Sequence, residues 1–355
     1  MARTSGKIGC AVIGYGATHN FGNMHSTWIE DSPDLELIAI CDRDTDRATA
    51  AARDFPQAQF YSDTKDLWAD QDVEMVTIVT PNFTHCDLTT EAFAHGRHVL
   101  VENAMCVTVE QSTKMIEAGA KAGRMLCVHH NRRHDGNYRL IREIVDSGTI
   151  GEIFHIELTP GQYAHPFPGN TDSWWADRSR SGGGWFYYGA QAIDWILDLV
   201  DSPMTGVTGF STKRVWTDIT FEDQVMAIMH FKNGVYANFC ESHIRAAPQP
   251  FWRILGTKGA IVDSGKDATK GYQEVVKHPS SGSLTLYQVK DGETVTEELA
   301  YKDSDWDEFY KDIARHIQAG APVPIAGEVG RRVMSVLKTA EKSAASGKTE
   351  MPPFA

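Results

Sequence analysis

The stretch Ile8-Gly-Cys-Ala-Val-Ile-Gly-Tyr-Gly16 decides the fold. An apolar run leads directly into Gly14-Tyr15-Gly16, a strand followed by a turn in which glycine permits a tight bend and a close approach of backbone to a bound pyrophosphate. The third glycine of a GxGxxG pattern is replaced by His19, and Gly22 comes three residues later, so a short insertion is expected before a helix over Met24–Ile29. A second apolar run, Leu35–Cys41, ends at Asp42, 26 positions after Gly16. A carboxylate there accepts hydrogen bonds from both ribose hydroxyls and repels a 2'-phosphate. Arg43 pulls the other way, so NAD is the expected cofactor and NADP the second choice. Alone, the two glycines would mark only a turn; strand, spacing and acid together read as a dinucleotide site that includes Gly14, Gly16, Ala17, Asp42 and Arg43.

Outward from this stretch the pattern repeats. Met75–Val79, His98–Val101 and Met125–Val128 are further apolar runs, with helical stretches between most of them, as in a parallel sheet covered on both faces. One helix is expected from Thr84 to Gly96, and another after Thr108, where Gln111 completes a capping box. Beyond about residue 130 the pattern changes. A helix over Tyr138–Ser147, a strand over Ile153–Thr159, an aromatic and glycine-rich loop and a helix over Trp185–Val200 precede a cluster of strand-like runs. These include Gln224–Phe231, Val235–Cys240 and Trp252–Leu255, with Asn233-Gly234 as a turn signal. Two helices, Asp305–Ala319 and Glu328–Ala345, close the chain. The expected fold is therefore α/β: an N-terminal doubly wound parallel sheet of Rossmann type over residues 1–129, then an α+β domain over 130–355 with a large, mostly antiparallel open sheet.

The 355 residues carry a formal net charge of -13, with 42% hydrophobic and 23% charged residues. This acidity, without Lys or Arg runs, argues against nucleic-acid binding. No apolar stretch approaches the length of a membrane span, and Met1–Lys7 does not resemble a signal peptide, so a cytoplasmic protein without membrane contact is expected. The six cysteines form no CxxC pair, and the fourteen histidines show no HExxH or similar spacing. Neither a disulfide framework nor a metal site is expected.

Thr80-Pro-Asn-Phe-Thr-His85 and Gly96-Arg-His-Val-Leu-Val-Glu102 resemble the glucose-fructose oxidoreductase / inositol dehydrogenase / rhizopine catabolism family, Gfo/Idh/MocA. The resemblance extends through Arg132-Arg133, Ser147–Glu152, Gly182-Gly-Gly184, Ala192-Ile-Asp194, Gly256–Gly259 and Ser343–Lys348. It implies a nucleotide site that also draws on Thr80, Pro81, Asn82, His85, Glu102 and Asn103, a carbohydrate-like substrate, and a homo-oligomer, dimer or tetramer, built on the open sheet.

The resemblance also exposes departures. The family's Glu-Lys-Pro tripeptide is here Glu102-Asn103-Ala104, and its paired aspartate and histidine fall on Tyr187 and Gln191 when aligned through Gly189 and Asp194. Oxidising a carbinol requires a group to take the hydroxyl proton. Asn103 and Gln191 cannot titrate but can orient hydroxyls; Tyr187 is the first candidate for acid-base work, if burial and a positive nicotinamide bring its pKa into range, and a one-residue slip would pass the role to Tyr188. His129, His130 and His243 are alternative bases, each otherwise a structural histidine. Tyr163, His165, Trp174, Trp175, Arg178, Tyr187, Gln191 and His243 are candidate substrate contacts, aromatics for stacking on a sugar face and polar groups for its hydroxyls.

Three readings follow: an NAD-dependent oxidoreductase acting on a sugar, cyclitol or glycoside; a redox-neutral NAD-dependent glycosidase, lyase or epimerase using transient oxidation; and a non-catalytic nucleotide-binding regulator.

Overall fold

The computed structural model describes residues 6–16, 20–264 and 282–354. The chain forms two compact units, residues 6–130 with 306–331, and 131–305 with 332–354. A single cut near 129 misses the return of Trp306–Arg331 to the first unit, because that segment buries its apolar face there: Phe309, Tyr310 and Ile313 are all essentially inaccessible.

In the first unit, β1 (Ile8–Ile13), β2 (Leu35–Cys41), β3 (Gln59–Tyr61), β4 (Met75–Ile78), β5 (His98–Glu102) and β6 (Leu126–His129) form a parallel sheet in the order β3-β2-β1-β4-β5-β6. This is the doubly wound order with its topological switch between β1 and β4, the crevice where such sheets bind ligands. β1 and β4 are buried along their whole length, which is why they read as continuous apolar runs rather than alternating ones. The helices α1 (Phe21–Asp31), α2 (Thr45–Asp54), α3 (Thr64–Ala69), α4 (His85–Ala94) and α5 (Val109–Ala122) connect successive strands. The Thr108/Gln111 capping box is present at α5. The short strand β3 escapes sequence reading, since three residues give no periodicity.

The second unit contains α6 (Gly136–Asp146), β7 (Ile153–Leu158), α7 (Arg178–Ser181), α8 (Gly184–Tyr187) and α9 (Gly189–Leu199). Strands β8 (Met204–Thr212), β9 (Gln224–Phe231), β10 (Tyr236–Ser242), β11 (Trp252–Gly256), β12 (Gly259–Asp263), β13 (Ser283–Lys290) and β14 (Glu293–Ala300) follow. With β7 they make an eight-stranded sheet, β14-β13-β12-β11-β7-β10-β9-β8, antiparallel except where β7 meets β10. The helix expected over Trp185–Val200 is two helices with a break at Tyr188. The last two helices are α10 (Glu308–Ala319) and α11 (Gly327–Ser346).

The second unit's core is aromatic: Trp185, Trp195 and Trp252 are buried, and the Tyr138 ring stacks on Trp195 at 5.5 Å. The face of α9 with Asp194 is fixed by a fork-shaped ion pair, Arg133 donating to both oxygens of the fully buried Asp194 at 2.7 and 2.8 Å. Asp194 is therefore structural.

Candidate active site

The glycine turn of the first unit is built for a phosphate. Gly14 has φ +97°, and a Cβ on it would lie 2.9 Å from the Val79 backbone. Gly16 has φ +59°, with nothing within 4 Å of such a Cβ among the described residues. Gly22 plays the part of the third glycine, since its Cβ would stand 2.5 Å from the Gly14 carbonyl oxygen and the Tyr15 Cα. The insertion shifts this glycine along the sequence but keeps the close packing of helix on turn, and α1 begins at Phe21, three residues earlier than expected.

Helices α2, α3 and α5 each carry a side-chain N-cap, from Asp44, Asp63 and Thr108. α1 has no side-chain cap from its N-cap residue Asn20 and no acidic residue in its first turn, so the positive end of its dipole favours an anion. Ala17 lies outside the described residues. Asp42 accepts from the Tyr15 and Gly16 amides through Oδ2 (2.9 and 3.1 Å) and from the Asp44 amide through Oδ1 (3.0 Å). Two bonds fill Oδ2, whereas Oδ1 keeps a free lone pair for a ribose hydroxyl. Arg43 is exposed beside it. These residues fit a nicotinamide dinucleotide.

The loops after β4 and β5 are clamped together by His85, whose Nε2 lies 2.6 Å from the Thr80 carbonyl and Nδ1 3.1 Å from that of Ala104. Thr80 also bonds Thr84 hydroxyl to hydroxyl (2.6 Å), and Pro81 and the buried Asn82 open the turn between them.

Glu102, closing β5, is the centre of a network that sequence reading missed. Its Oε1 receives hydrogen bonds from His25 Nε2 (2.8 Å) and His129 Nδ1 (2.7 Å), and its Oε2 from the Asn103 amide (2.9 Å). On the far side of His25, Tyr310 donates to Nδ1 (2.5 Å). Burial alone would raise the Glu102 carboxyl, but His129 and His25 outweigh it and hold it well below the usual carboxylate range. Burial, with His129 adding to it, lowers His25 to about 4, so this ring is neutral, donating to Glu102 and accepting from Tyr310. The two imidazoles and the carboxylate are close enough to suggest a metal triad, their ligand atoms lying within 4.8 Å of one another. Both rings point at the same oxygen at hydrogen-bond distance, however, which is a carboxylate held by two donors rather than three ligands spread around an ion. Asn103 in turn donates its side-chain amide to the His129 carbonyl (3.0 Å), which fixes its orientation and leaves its Oδ1 for a ligand.

In the second unit, Tyr187 closes α8 inside an aromatic cage. Its ring meets Phe167, Trp175, Phe221 and His243 edge to face, with centroids 5.8, 5.7, 5.6 and 5.7 Å away. Burial and the nearby Glu241 raise the Tyr187 phenol to about 12. The expectation that burial would bring it into acid-base range is therefore reversed: a desolvated phenolate is costly, so Tyr187 stays protonated and serves as a hydrogen-bond donor. Tyr188, the alternative, is pushed up as well, chiefly by burial.

Gln191 is 3% exposed, and neither its amide nitrogen nor its oxygen has a partner among the described residues. Trp216 joins the loop residues, packing against Tyr163 (5.8 Å) and His165 (5.0 Å). His165 accepts from the Phe167 amide at Nδ1, so its Nε2 carries the proton and faces Asp218 at 3.2 Å. Trp174 and Trp175 stack at 4.2 Å, and Tyr163 is 55% exposed. Arg178 departs from its expected role: its guanidinium pairs with Glu222 (3.0 Å) and Glu341 (2.5 Å), so it braces the loop.

Residues 8–130 match the model of an oxidoreductase family with an NAD-binding Rossmann fold, and residues 138–262 match the GFO/IDH/MocA C-terminal domain. The chain belongs to the Gfo/Idh/MocA family. It is thereby an NAD(P)-dependent oxidoreductase. Its relatives include the scyllo-inositol 2-dehydrogenase (NADP(+)) IolW of Bacillus subtilis, 22% identical and covering 97% of this chain and 95% of that protein. Inositol 2-dehydrogenase of Salmonella typhimurium is 33% identical over 43% of this chain and 44% of its own. Among solved structures, a levoglucosan dehydrogenase in complex with NADH and levoglucosan has a TM-score of 0.82 at 21% identity, covering 98% of this chain and all (100%) of that one. An NAD-binding protein from Listeria innocua has the same score at 23% identity, covering 97% of each.

Within the Gfo/Idh/MocA fold, then, the Asn103, Tyr187 and Gln191 positions carry none of the titratable groups that the resemblance leads one to expect there. Sequence reading also passed over His25, Tyr310, Trp216 and Glu241. Of these, Glu241 had a signal: Glu241-Ser242-His243 places an acid and a base two apart at a strand end, on one face.

Proposed function

We propose that this protein oxidises a ring hydroxyl of a neutral sugar or cyclitol, with NAD as the preferred cofactor. The observation that carries this reading is Gln191, a buried amide with both polar atoms unpartnered. Such a group costs about 1–3 kcal/mol unless a ligand pairs it. A ligand with adjacent hydroxyls supplies both an acceptor and a donor, and the cage around Tyr187 offers apolar edges for the C–H face of a ring. The catalytic, cofactor and substrate residues are assigned accordingly: Gly14, Gly16 and Asp42 for the dinucleotide, Asn103 for orientation, Tyr187 and Gln191 for the sugar, Tyr163, His165, Trp174 and Trp175 for the loop beside it. When bound, the nicotinamide accepts hydride. Asp42, next to the free lone pair on its Oδ1, disfavours the 2'-phosphate of NADP, and Arg43 is the residue that would soften the preference. Relatives named as inositol and levoglucosan dehydrogenases support the substrate class.

The test is reduced-nicotinamide absorbance with NAD or NADP against scyllo-inositol, levoglucosan and a panel of aryl glycosides, with aglycone release read in parallel. A steady rise with a polyol is expected, faster with NAD. Aglycone release without a rise would replace net oxidation by redox-neutral cleavage, and silence in both, with nucleotide still bound, would leave a regulator. Asp42→Ala is expected to narrow the NAD preference by roughly tenfold, the order of one lost charged hydrogen bond.

A further inference from the structure

The three positions at which the family resemblance leads one to look for a proton acceptor hold Asn103, a protonated phenol and Gln191. Oxidation of a hydroxyl still requires a base, so the acceptor must come from elsewhere in the chain. Glu241, on β10, is 3% exposed and His243, just past its end, 9%. His243 Nε2 lies 3.5 Å from Glu241 Oε1, and Nε2 is buried with no hydrogen bond. Nδ1 carries no hydrogen bond among the described residues. The other oxygen of Glu241 receives the Tyr188 amide at 3.2 Å, where α9 begins, so the carboxylate is held at a helix N-terminus.

The backbone of His243 is fixed from both sides. Its amide donates to the Asp223 carbonyl (2.8 Å), and its own carbonyl receives the Ala164 amide and the Trp216 indole N–H, both at 3.1 Å. Its ring stands against Tyr187 and Phe221, in the wall of the same aromatic cage. The charged and titratable groups around it are Glu241 on β10, Tyr187 on α8, and Asp223 just before β9, which is itself paired with Lys213 at 3.0 Å.

We infer that His243 is the general base of this enzyme and that Glu241 is the residue that positions it. The inference rests on the oxidoreductase reading above. Glu241 Oε1, 3.5 Å from Nε2, favours by its charge the tautomer with the proton on Nε2, in which Nδ1 presents its lone pair. As the sugar C–O–H becomes C=O, the O–H bond breaks and its proton forms an Nδ1–H bond. The C–H pair leaves as hydride to the oxidised nicotinamide supplied as co-substrate. The imidazolium that results stands beside a carboxylate whose burial raises its proton affinity unless a cation is near, so the pair is better balanced after the transfer than before it. Gln191 and the Tyr187 hydroxyl orient the sugar; neither takes the proton.

The experiment compares wild type, His243→Gln, His243→Ala and Glu241→Gln with whichever polyol of the panel the wild type oxidises. Turnover of His243→Gln is expected to fall by about 10² to 10⁴, the usual worth of general base catalysis, with the KM for the polyol and NADH binding by fluorescence near wild type. Added imidazole is expected to restore part of the His243→Ala rate. As a readout independent of turnover, the ¹⁵N resonances of the His243 ring are expected to shift when scyllo-inositol or levoglucosan is added without nucleotide. Their tautomer pattern is expected to change in Glu241→Gln. A wild type that oxidises polyols while His243→Gln keeps its kcat overturns the base assignment and leaves the oxidoreductase reading standing, as do His243 resonances indifferent to saturating polyol. A wild type that neither binds nor oxidises any polyol overturns both.

Discussion

Two polar clusters in this protein are built from similar residues and differ in how completely they are satisfied. Around Glu102, the carboxylate, the neutral His25 and Tyr310 pass hydrogen bonds in one consistent direction and Asn103 is tied at its amide, although the buried Nε2 of His129 has no partner among the described residues. In the second unit, by contrast, both polar atoms of Gln191, on α9, and the Nε2 of His243, beside the Tyr187 ring, are buried without a hydrogen bond among the described residues. Buried polar groups are nearly always paired, so the more fully paired network reads as scaffold and the less paired one as a place that expects a ligand.

The largest effect should come from opening the more fully paired cluster. His25→Ala removes a fully buried ring, takes one of two histidine donors from Glu102 Oε1 and leaves the Tyr310 hydroxyl with only Thr77 at 3.4 Å, and should destabilise the fold by about 3 kcal/mol in urea unfolding. A loss below about 1 kcal/mol would mean that the network is not structural. The same ring sets a pH dependence. Its pKa is lowered from 6.5 to about 4 in the folded state, so the unfolded chain binds more protons in that window. Stability present above pH 6.5 should therefore be lost as pH falls toward 4, by up to about 3 kcal/mol from His25. His98, lowered to about 4 chiefly by burial, steepens the slope in the same direction. Thermal midpoints measured from pH 7.5 to 4 check the sign; a flat profile would contradict it.

The less paired cluster should respond in the opposite sense. Gln191→Leu replaces an unpaired amide by a side chain of similar size and should raise the unfolding free energy of the ligand-free protein by about 1 kcal/mol while weakening polyol binding, measured by calorimetry. Lost stability would mean that Gln191 has a structural partner after all. The smallest effect is expected of Tyr187→Phe. With the phenol protonated up to about 12, its removal should leave the pH profile of turnover unchanged below pH 9 and raise the polyol KM by no more than roughly tenfold, the worth of one neutral hydrogen bond. A changed pH profile would return the acid-base role to the phenol.

Much of the first unit was legible from residues alone. Apolar continuity in Ile8–Ile13 and Met75–Ile78, the Thr108/Gln111 capping box and the positions of Gly14, Gly16 and Asp42 all emerged where local chemistry demanded them. The helix broken at Tyr188 did not, because an apolar periodicity persists across a single irregular residue. Arg178 was read as a substrate contact because an exposed arginine near aromatics looks available; its two carboxylate partners, Glu222 and Glu341, lie 44 and 163 positions further along the chain. Tyr187 was chosen by alignment with a missing aspartate, yet burial moves a carboxylate and a phenol alike away from ionisation, and only the packing shows how far.

By itself the sequence determined the parallel doubly wound sheet, the glycine turn and the acid that follows it. These rest on strand hydrophobicity and on the freedom of glycine at positive φ, which are properties of neighbouring residues. Tertiary structure alone decided that Gly22 replaces a displaced glycine, that Trp306–Arg331 returns to the first unit, that Tyr310 completes the bonding of His25 from 285 positions away, and that Glu241 faces His243. Such pairings depend on which distant groups burial forces to satisfy one another, and hydrogen bonding across folded space leaves no local period to read.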